Sequence, residues 1–268
     1  MNTEVQEVRR VARKSPLSDR LAAVRDRIAE AAIKARRDPR EITLIAVTKT
    51  AAPEQIREVL QLGVLDLGES RVQQLTQRAS QLQELASRRS QYGEAPPPPE
   101  RARWHMIGHL QRNKVKALLP LVSMIHSVDS LRLAEELDCQ CGRLGRRLPV
   151  LMQVNASEEP QKSGVAVGAA VHLAEQIDSM PNLQLMGLMT MAELTDDTTR
   201  IQRTFARTRE IFEEMRWHKL GGAALKHLSM GMSNDFELAI AEGATMVRIG
   251  SLLFGGRPEA ERQGDKDE

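Results

Sequence analysis

Lys49 closes the apolar run Ile42-Thr43-Leu44-Ile45-Ala46-Val47-Thr48, so a strand leaving a buried core would deliver one amine to a cavity mouth. Apolar walls disfavour an ammonium charge and enlarge the neutral fraction able to condense with an aldehyde. Lys49 is therefore a candidate Schiff-base former; the alternative is a snorkelling side chain whose stem lies along apolar surface. Two clusters far along the chain bear on the choice, His227-Leu228-Ser229-Met230-Gly231-Met232-Ser233 and Val247-Arg248-Ile249-Gly250-Ser251. Ser229 offers a hydroxyl. Gly231, Gly250 and Ser251 could offer backbone N–H groups to a phosphate, because glycine lets the main chain approach a ligand closely. The alternative is that these residues only shape turns. Arg248 lies two residues before Gly250, so on a strand both face one side. A buried arginine needs a partner, either a carboxylate or an acceptor on a ligand. An amine for an aldehyde, a cradle for a phosphate and an arginine for a ring nitrogen together fit pyridoxal 5'-phosphate (PLP).

These residues need a scaffold that gathers strand ends. Short apolar runs alternate with helical stretches, the pattern of repeated βα units around a parallel sheet. Eight runs can be placed, ending near Lys49, near Gly68 and at Gly108, Val128, Asn155, Thr190, Met230 and Gly250. Amphipathic stretches lie between them at Pro53 to Leu62, Leu131 to Leu137, Gly168 to Asp178, Thr198 to Glu214 and Phe236 to Glu242. At 268 residues the chain suits a single α/β domain of the (β/α)8 TIM-barrel class over residues 1–258, with the barrel from about residue 41. An additional N-terminal helix is expected from about Val5 to Arg37, with an internal start at Ser18-Asp19 after Pro16. Four prolines, Pro96 to Pro99, mark an exposed extended excursion, and the charged tail from Glu259 to Glu268 reads as disordered. In such barrels functional residues gather at the C-terminal ends of the strands, where Lys49, Arg248 and Gly250 all fall.

Composition excludes several classes. Net charge is +2 and the basic residues are interspersed with acids, so no nucleic-acid footprint stands out. The cluster from Arg9-Arg10 to Lys14 reads as a solvated helix face. Cys139 and Cys141, two apart in a helical stretch, point away from each other and form neither a disulfide framework nor a metal site. No run is long and apolar enough to span a bilayer and the start lacks a signal-peptide core, so no membrane is implied and the cytoplasm is expected.

Ile45-Ala46-Val47-Thr48-Lys49, the stretch from Trp104 to Lys114 (WHMIGHLQRNK), Pro160-Gln161-Lys162-Ser163-Gly164, Gly187-Leu188-Met189-Thr190, Leu228 to Phe236 (LSMGMSNDF) and Val247-Arg248-Ile249-Gly250-Ser251 resemble the pyridoxal phosphate homeostasis proteins. That family is also called the proline synthase co-transcribed homologues. The resemblance runs from about Leu17 to Arg257. It implies a barrel like the N-terminal domain of alanine racemase, with PLP on Lys49. Carried over by position, it puts phosphate contacts on Ser229, Gly250 and Ser251, with Met230 and Gly231 in the same turn, and a pyridine-nitrogen contact on Arg248. Ser70 stands where the family often has asparagine, and the proline-rich excursion is longer than usual.

PLP is a strong electron sink when its ring nitrogen is protonated and paired with a carboxylate. Arginine only donates, so an Arg248 contact would leave that nitrogen neutral and weaken carbanion chemistry. Alanine racemase works with such an arginine by means of a tyrosine from another domain. Here the one tyrosine, Tyr92, lies beside the proline run. His105, His109, His126, His227, Glu69 and Asp129 read as structural or solvent-facing, and Asp235 as a turn or helix start before Phe236. The expectation is a PLP-holding protein with little or no turnover. It would buffer the cofactor or deliver it to acceptor enzymes, and be perturbed by amino acids or keto acids. A monomer is expected, because no counterpart of the racemase β-domain follows. A PLP-dependent racemase or isomerase, and a barrel that only scaffolds interactions, are the alternatives.

Overall fold

The computed structural model describes residues 15–91 and 102–255. The helix expected from Val5 falls partly outside them, as do Arg9-Arg10 and Lys14, Tyr92, Pro96–Pro99 and the tail from Glu259.

Parallel strands follow from apolar runs buried on both faces: in β1 (Thr43–Val47), Ile45 and Ala46 are wholly buried. The other strands are β2 (Asp66–Glu69), β3 (Arg103–Met106), β4 (Val122–Val128), β5 (Leu148–Asn155), β6 (Val165–Ala166), β7 (Leu183–Met189), β8 (His227–Ser229) and β9 (Met246–Ile249). Parallel pairing runs β4-β3-β2-β1-β9-β8-β7-β5, and β4 with β5 closes the ring. Strand β6 pairs only with the end of β5 and stands outside this eight-strand barrel. The eight expected runs all appear, each ending within about two residues of the expected place. Two-residue β6 was not foreseen, being too short to carry a periodic pattern.

Alternation sorts the side chains into two layers. Trp104 and Met106 of β3 and Val247 and Ile249 of β9 point outward into the core shared with the helices. Ile45, Met124, Leu151, Met189 and Met246 form a separate cluster inside the barrel. Unbranched methionines suit this narrow, irregular space. The same inner face carries the polar residues His105 of β3 and Arg248 of β9, each one register step from an outward apolar neighbour.

The outer helices are α1 (Pro16–Lys34), α2 (Pro53–Gln61), α3 (Val72–Gln91), α4 (Val115–Leu118), α5 (Leu131–Arg143), α6 (Ala170–Asp178), α7 (Thr198–Trp217), α8 (Phe236–Ala241) and α9 (Ser251–Phe254). The start of α1 differs from the expected Ser18-Asp19. Ser15 is the N-cap, its hydroxyl accepting from the Ser18 amide at 3.0 Å, and Pro16 opens the first turn. Helix α1 packs against α2, α8 and α9 through Leu21, Val24 and Ile28, covering the wall that four-residue α9 is too short to cover. Helix α5 continues past Leu137 and leaves Cys139 exposed and Cys141 buried, both unpaired.

Strands β7 and β8 meet very closely at Gly187. Its φ is +152°, and a Cβ there would lie 1.8 Å from the His227 carbonyl oxygen. Gly187→Ala is expected to cost about 3 kcal/mol or more of unfolding free energy in urea titrations. Gly168→Ala, where a Cβ meets nothing within 4 Å, is expected to change stability by less than about 0.5 kcal/mol.

Candidate functional site

The C-terminal ends of the strands surround a cavity of about 920 Å³, in the size range of small-molecule sites. Lys49, Arg248, Gly250 and Ser251 all line it, brought together because β1 and β9 are neighbours in the ring.

Lys49 sits in the turn after β1 and is exposed at the cavity mouth, not enclosed by apolar walls as the sequence led us to expect. The turn that carries it is held firmly. The Thr48 amide donates to the Gly68 carbonyl at 3.0 Å and the Ala51 amide to the Thr48 carbonyl at 2.8 Å. Arg78 of α3 reaches under the same turn, donating to the carbonyls of Thr48 and Ala51 and pairing with Glu69. Glu69, wholly buried, also accepts from the Thr48 hydroxyl. The amine is thus presented from a pinned backbone on a mobile four-carbon stem.

Arg248 is 4% exposed. Its guanidinium donates to the Ser229 carbonyl at 2.7 Å, the Ser229 hydroxyl at 2.8 Å and the Thr190 carbonyl at 2.9 Å. The sequence offered a carboxylate or a ligand as its partner; two carbonyls and a hydroxyl seat it instead. Burial lowers its pKa to about 10, with the charge of Asp235 opposing that shift. Three of its five N–H bonds are taken by these partners, so two remain for whatever enters the cavity.

The remaining expected residues lie one layer down. Ser229 and Met230 are wholly buried and Gly231 is buried; none of the three lines the cavity. The Ser229 hydroxyl, expected at a phosphate, is engaged here between Arg248 and His126. Gly231, at φ +90°, is needed because a Cβ would lie 2.6 Å from the Ala239 methyl, and its carbonyl accepts from the Arg248 amide at 3.0 Å. From the same loop it is Met232, Ser233 and Asn234 that reach the cavity. Asp235 forms the turn expected of it, accepting from the Met232 amide. Ser70, the departure from the family pattern, also lines the wall.

Sequence reasoning left the histidines without partners, and the structure supplies them. His109 stands at the rim 3.3 Å from Asp129, while His227 lies 3.3 Å from the Thr245 hydroxyl. His105 and His126 are buried in the barrel interior, 2.9 Å apart. Their positions on the inward face of β3 and β4 were the only available signal. Lys162 donates to the Ala192 carbonyl at 2.9 Å, tying together two loops of the rim. Among the described residues no His, Cys, Asp and Glu cluster could hold a metal ion, and no helix is long and apolar enough to cross a membrane.

A closed parallel barrel with a lysine and an inward arginine at its C-terminal mouth defines a class, the alanine racemase N-terminal-domain barrels, whose family model matches residues 20–258. The pyridoxal phosphate homeostasis protein of Pseudomonas aeruginosa is 39% identical over 243 residues, covering 91% of this chain and 96% of that protein. The one from Aquifex aeolicus is 38% identical over 239 residues, covering 89% and 97%. Among solved structures, PipY of Synechococcus elongatus with PLP bound is 33% identical, with a TM-score of 0.74 over 89% of this chain and all of that one. The chain belongs to the pyridoxal phosphate homeostasis protein family.

Burial above all, with the nearby Arg248 guanidinium, holds His126 neutral, its pKa well below 6.5. Below pH 6.5 the unfolded chain takes up a proton that the folded one refuses, so stability is full above that pH and falls as pH drops. Urea unfolding is expected to weaken by up to about 1.4 kcal/mol per pH unit on this account. His126→Gln, less stable at neutral pH, should show a shallower decline.

Proposed function

We propose that this chain holds PLP reversibly on Lys49 and buffers or hands over the cofactor, with little or no turnover of its own. The observation that carries this reading is that Lys49 and Arg248 face one cavity together with Gly250 and Ser251. PLP bound there would supply an aldehyde that condenses reversibly with primary amines.

Each residue's part follows from its chemistry. Lys49 provides the amine, and its exposure leaves it open to exchange with an incoming amine, from an amino acid or from the lysine of an acceptor enzyme. Gly250 and Ser251 offer backbone N–H groups to the phosphate, since the first amides of α9 have no intrahelical partner. Ser233 and Asn234 flank that position from the β8–α8 loop. Gly250 lies close to the neighbouring strand: a Cβ there would come 3.2 Å from the Val47 carbonyl. Arg248 would donate to the pyridine nitrogen of a bound PLP and, accepting no proton itself, would leave that nitrogen neutral. We also take the protein to act in the cytoplasm as a monomer.

The purified protein incubated with PLP should become yellow and, after borohydride reduction, carry a pyridoxyl adduct on the peptide containing Lys49. Lys49→Ala should lose the adduct and keep its unfolding transition within about 0.5 kcal/mol of wild type, as an exposed side chain would. A protein that stays colourless and unmodified would remove the reading. Rapid Cα deuterium exchange across a panel of amino acids, lost in Lys49→Ala, would replace holding with racemase-type catalysis.

A further inference from the structure

One set of buried polar groups plays no part in contacting the cavity. Inside the barrel the Arg248 guanidinium lies 2.8 Å from the Ser229 hydroxyl, which lies 2.9 Å from Nδ1 of His126. Nε2 of His126 is 2.9 Å from Nδ1 of His105, and Nε2 of His105 is 3.0 Å from a carboxylate oxygen of Asp66. Asp66 is held in turn by Arg103, whose Nε donates at 2.7 Å and Nη2 at 2.5 Å. Asp66 and Arg103 line a second hollow, of about 410 Å³, formed where β2 and β3 begin. The row therefore runs through the barrel from that hollow to the cavity.

Only one arrangement of protons satisfies every member. Arg248 can only donate, so the Ser229 oxygen accepts from it, and the Ser229 hydrogen is left for His126. His126 then accepts at Nδ1 and, being neutral, donates from Nε2 to Nδ1 of His105. His105 donates from Nε2 to Asp66, a carboxylate that can only accept. The reverse arrangement would strand the Ser229 hydrogen in a wholly buried site, at the cost of an unmade hydrogen bond. The charged groups that face His126 are consistent with the first arrangement. Burial disfavours a second proton there, as does the Arg248 guanidinium on β9. Burial alone would raise the Asp66 carboxyl, but the bonds from Arg103 and His105 outweigh it and hold it at about 2, so it is ionised.

We propose that Asp66 is the remote counter-ion of Arg248, coupled to it through the one-directional relay Ser229–His126–His105. Every hydrogen bond in the row has its donor on the guanidinium side and its acceptor on the carboxylate side, and aligned bonds polarise one another. The arginine is thereby kept a fixed donor by a charge on the far side of the barrel, while Asp235 acts on it through space without a hydrogen bond. Asp66, His105, His126 and Ser229 are positioning residues; none of them lines the cavity. That Arg248 contacts a cofactor rests on the function proposed above, but the relay itself does not.

The test uses full-length protein labelled with ¹⁵N-histidine, first without PLP. Both His105 and His126 should be neutral with the proton on Nε2. Asp66→Asn, which keeps the shape and removes the charge, should move the His126 Nε2 proton upfield. Arg103→Gln, which takes away the cation screening Asp66 from a half-exposed position, should move it downfield. A merely structural role would not produce opposite signs. A proton on Nδ1 of either histidine in the wild type, or shifts of one sign or none in the two variants, overturns the relay. With PLP added, Asp66→Asn should bind it at least about fivefold more weakly, the lower end of couplings between distant sites. Unchanged affinity overturns the coupling to the cofactor. If the wild type itself takes up no PLP, the holding function fails, and the histidine resonances still decide the relay.

Discussion

A guanidinium buried in the middle of a barrel must be satisfied before anything else about the site can work, because an unpaired buried charge costs several kcal/mol. Arg248 is that group, and much of the C-terminal half of the barrel answers to it. Its donors reach the ends of β7 and β8 at Thr190 and Ser229, while its own amide is anchored to Gly231. Gly231 in turn has no side chain because α8 lies directly against it. The loop that follows is therefore turned towards the cavity at Met232 to Asn234 by the same packing that seats the arginine.

The lysine side of the cavity is built differently. Arg78 and the wholly buried Glu69 form a pair under the β1 turn, with Thr48 and Ala51 carbonyls completing the guanidinium's bonds. This fixes the backbone of Lys49 and leaves its side chain in solvent. One wall of the site is thus a rigid donor set deep in the barrel and the other is a flexible amine at its mouth. A ligand gripped by both would be oriented from below and open to exchange from above.

The barrel was legible because its signal is redundant: eight apolar runs with helical spacing between them leave few other closures, and each strand end fell close to its expected place. Lys49, Arg248, Gly250 and Ser251 were legible for the same reason, since a residue at a strand end has its position set by the fold. The depth of Ser229 was not legible, because position along a strand does not reveal depth; one register step separates a cavity wall from the layer beneath it. Helix ends were less visible, as in α1, where Ser15 and Pro16 rather than Ser18-Asp19 provide the start. The histidine row was invisible as a row. Asp66, His105, His126 and Ser229 come from four strands, and only closure of the barrel brings them into contact.

That row also bears on the chemistry the cavity could support. Carbanion chemistry on a pyridine ring needs a proton on its nitrogen, best kept there by a carboxylate beside it. A carboxylate placed next to Arg248 would neutralise the guanidinium but would also compete for its free N–H bonds. On the relay proposed above, Asp66 at the far end of the barrel would act on Arg248 without occupying its remaining donors. The histidines between them cannot serve as acids or bases towards the cavity, because each already has both ring nitrogens engaged within the barrel. The arrangement that satisfies the buried arginine thus also keeps His105 and His126 from the cavity, leaving His109 at its rim.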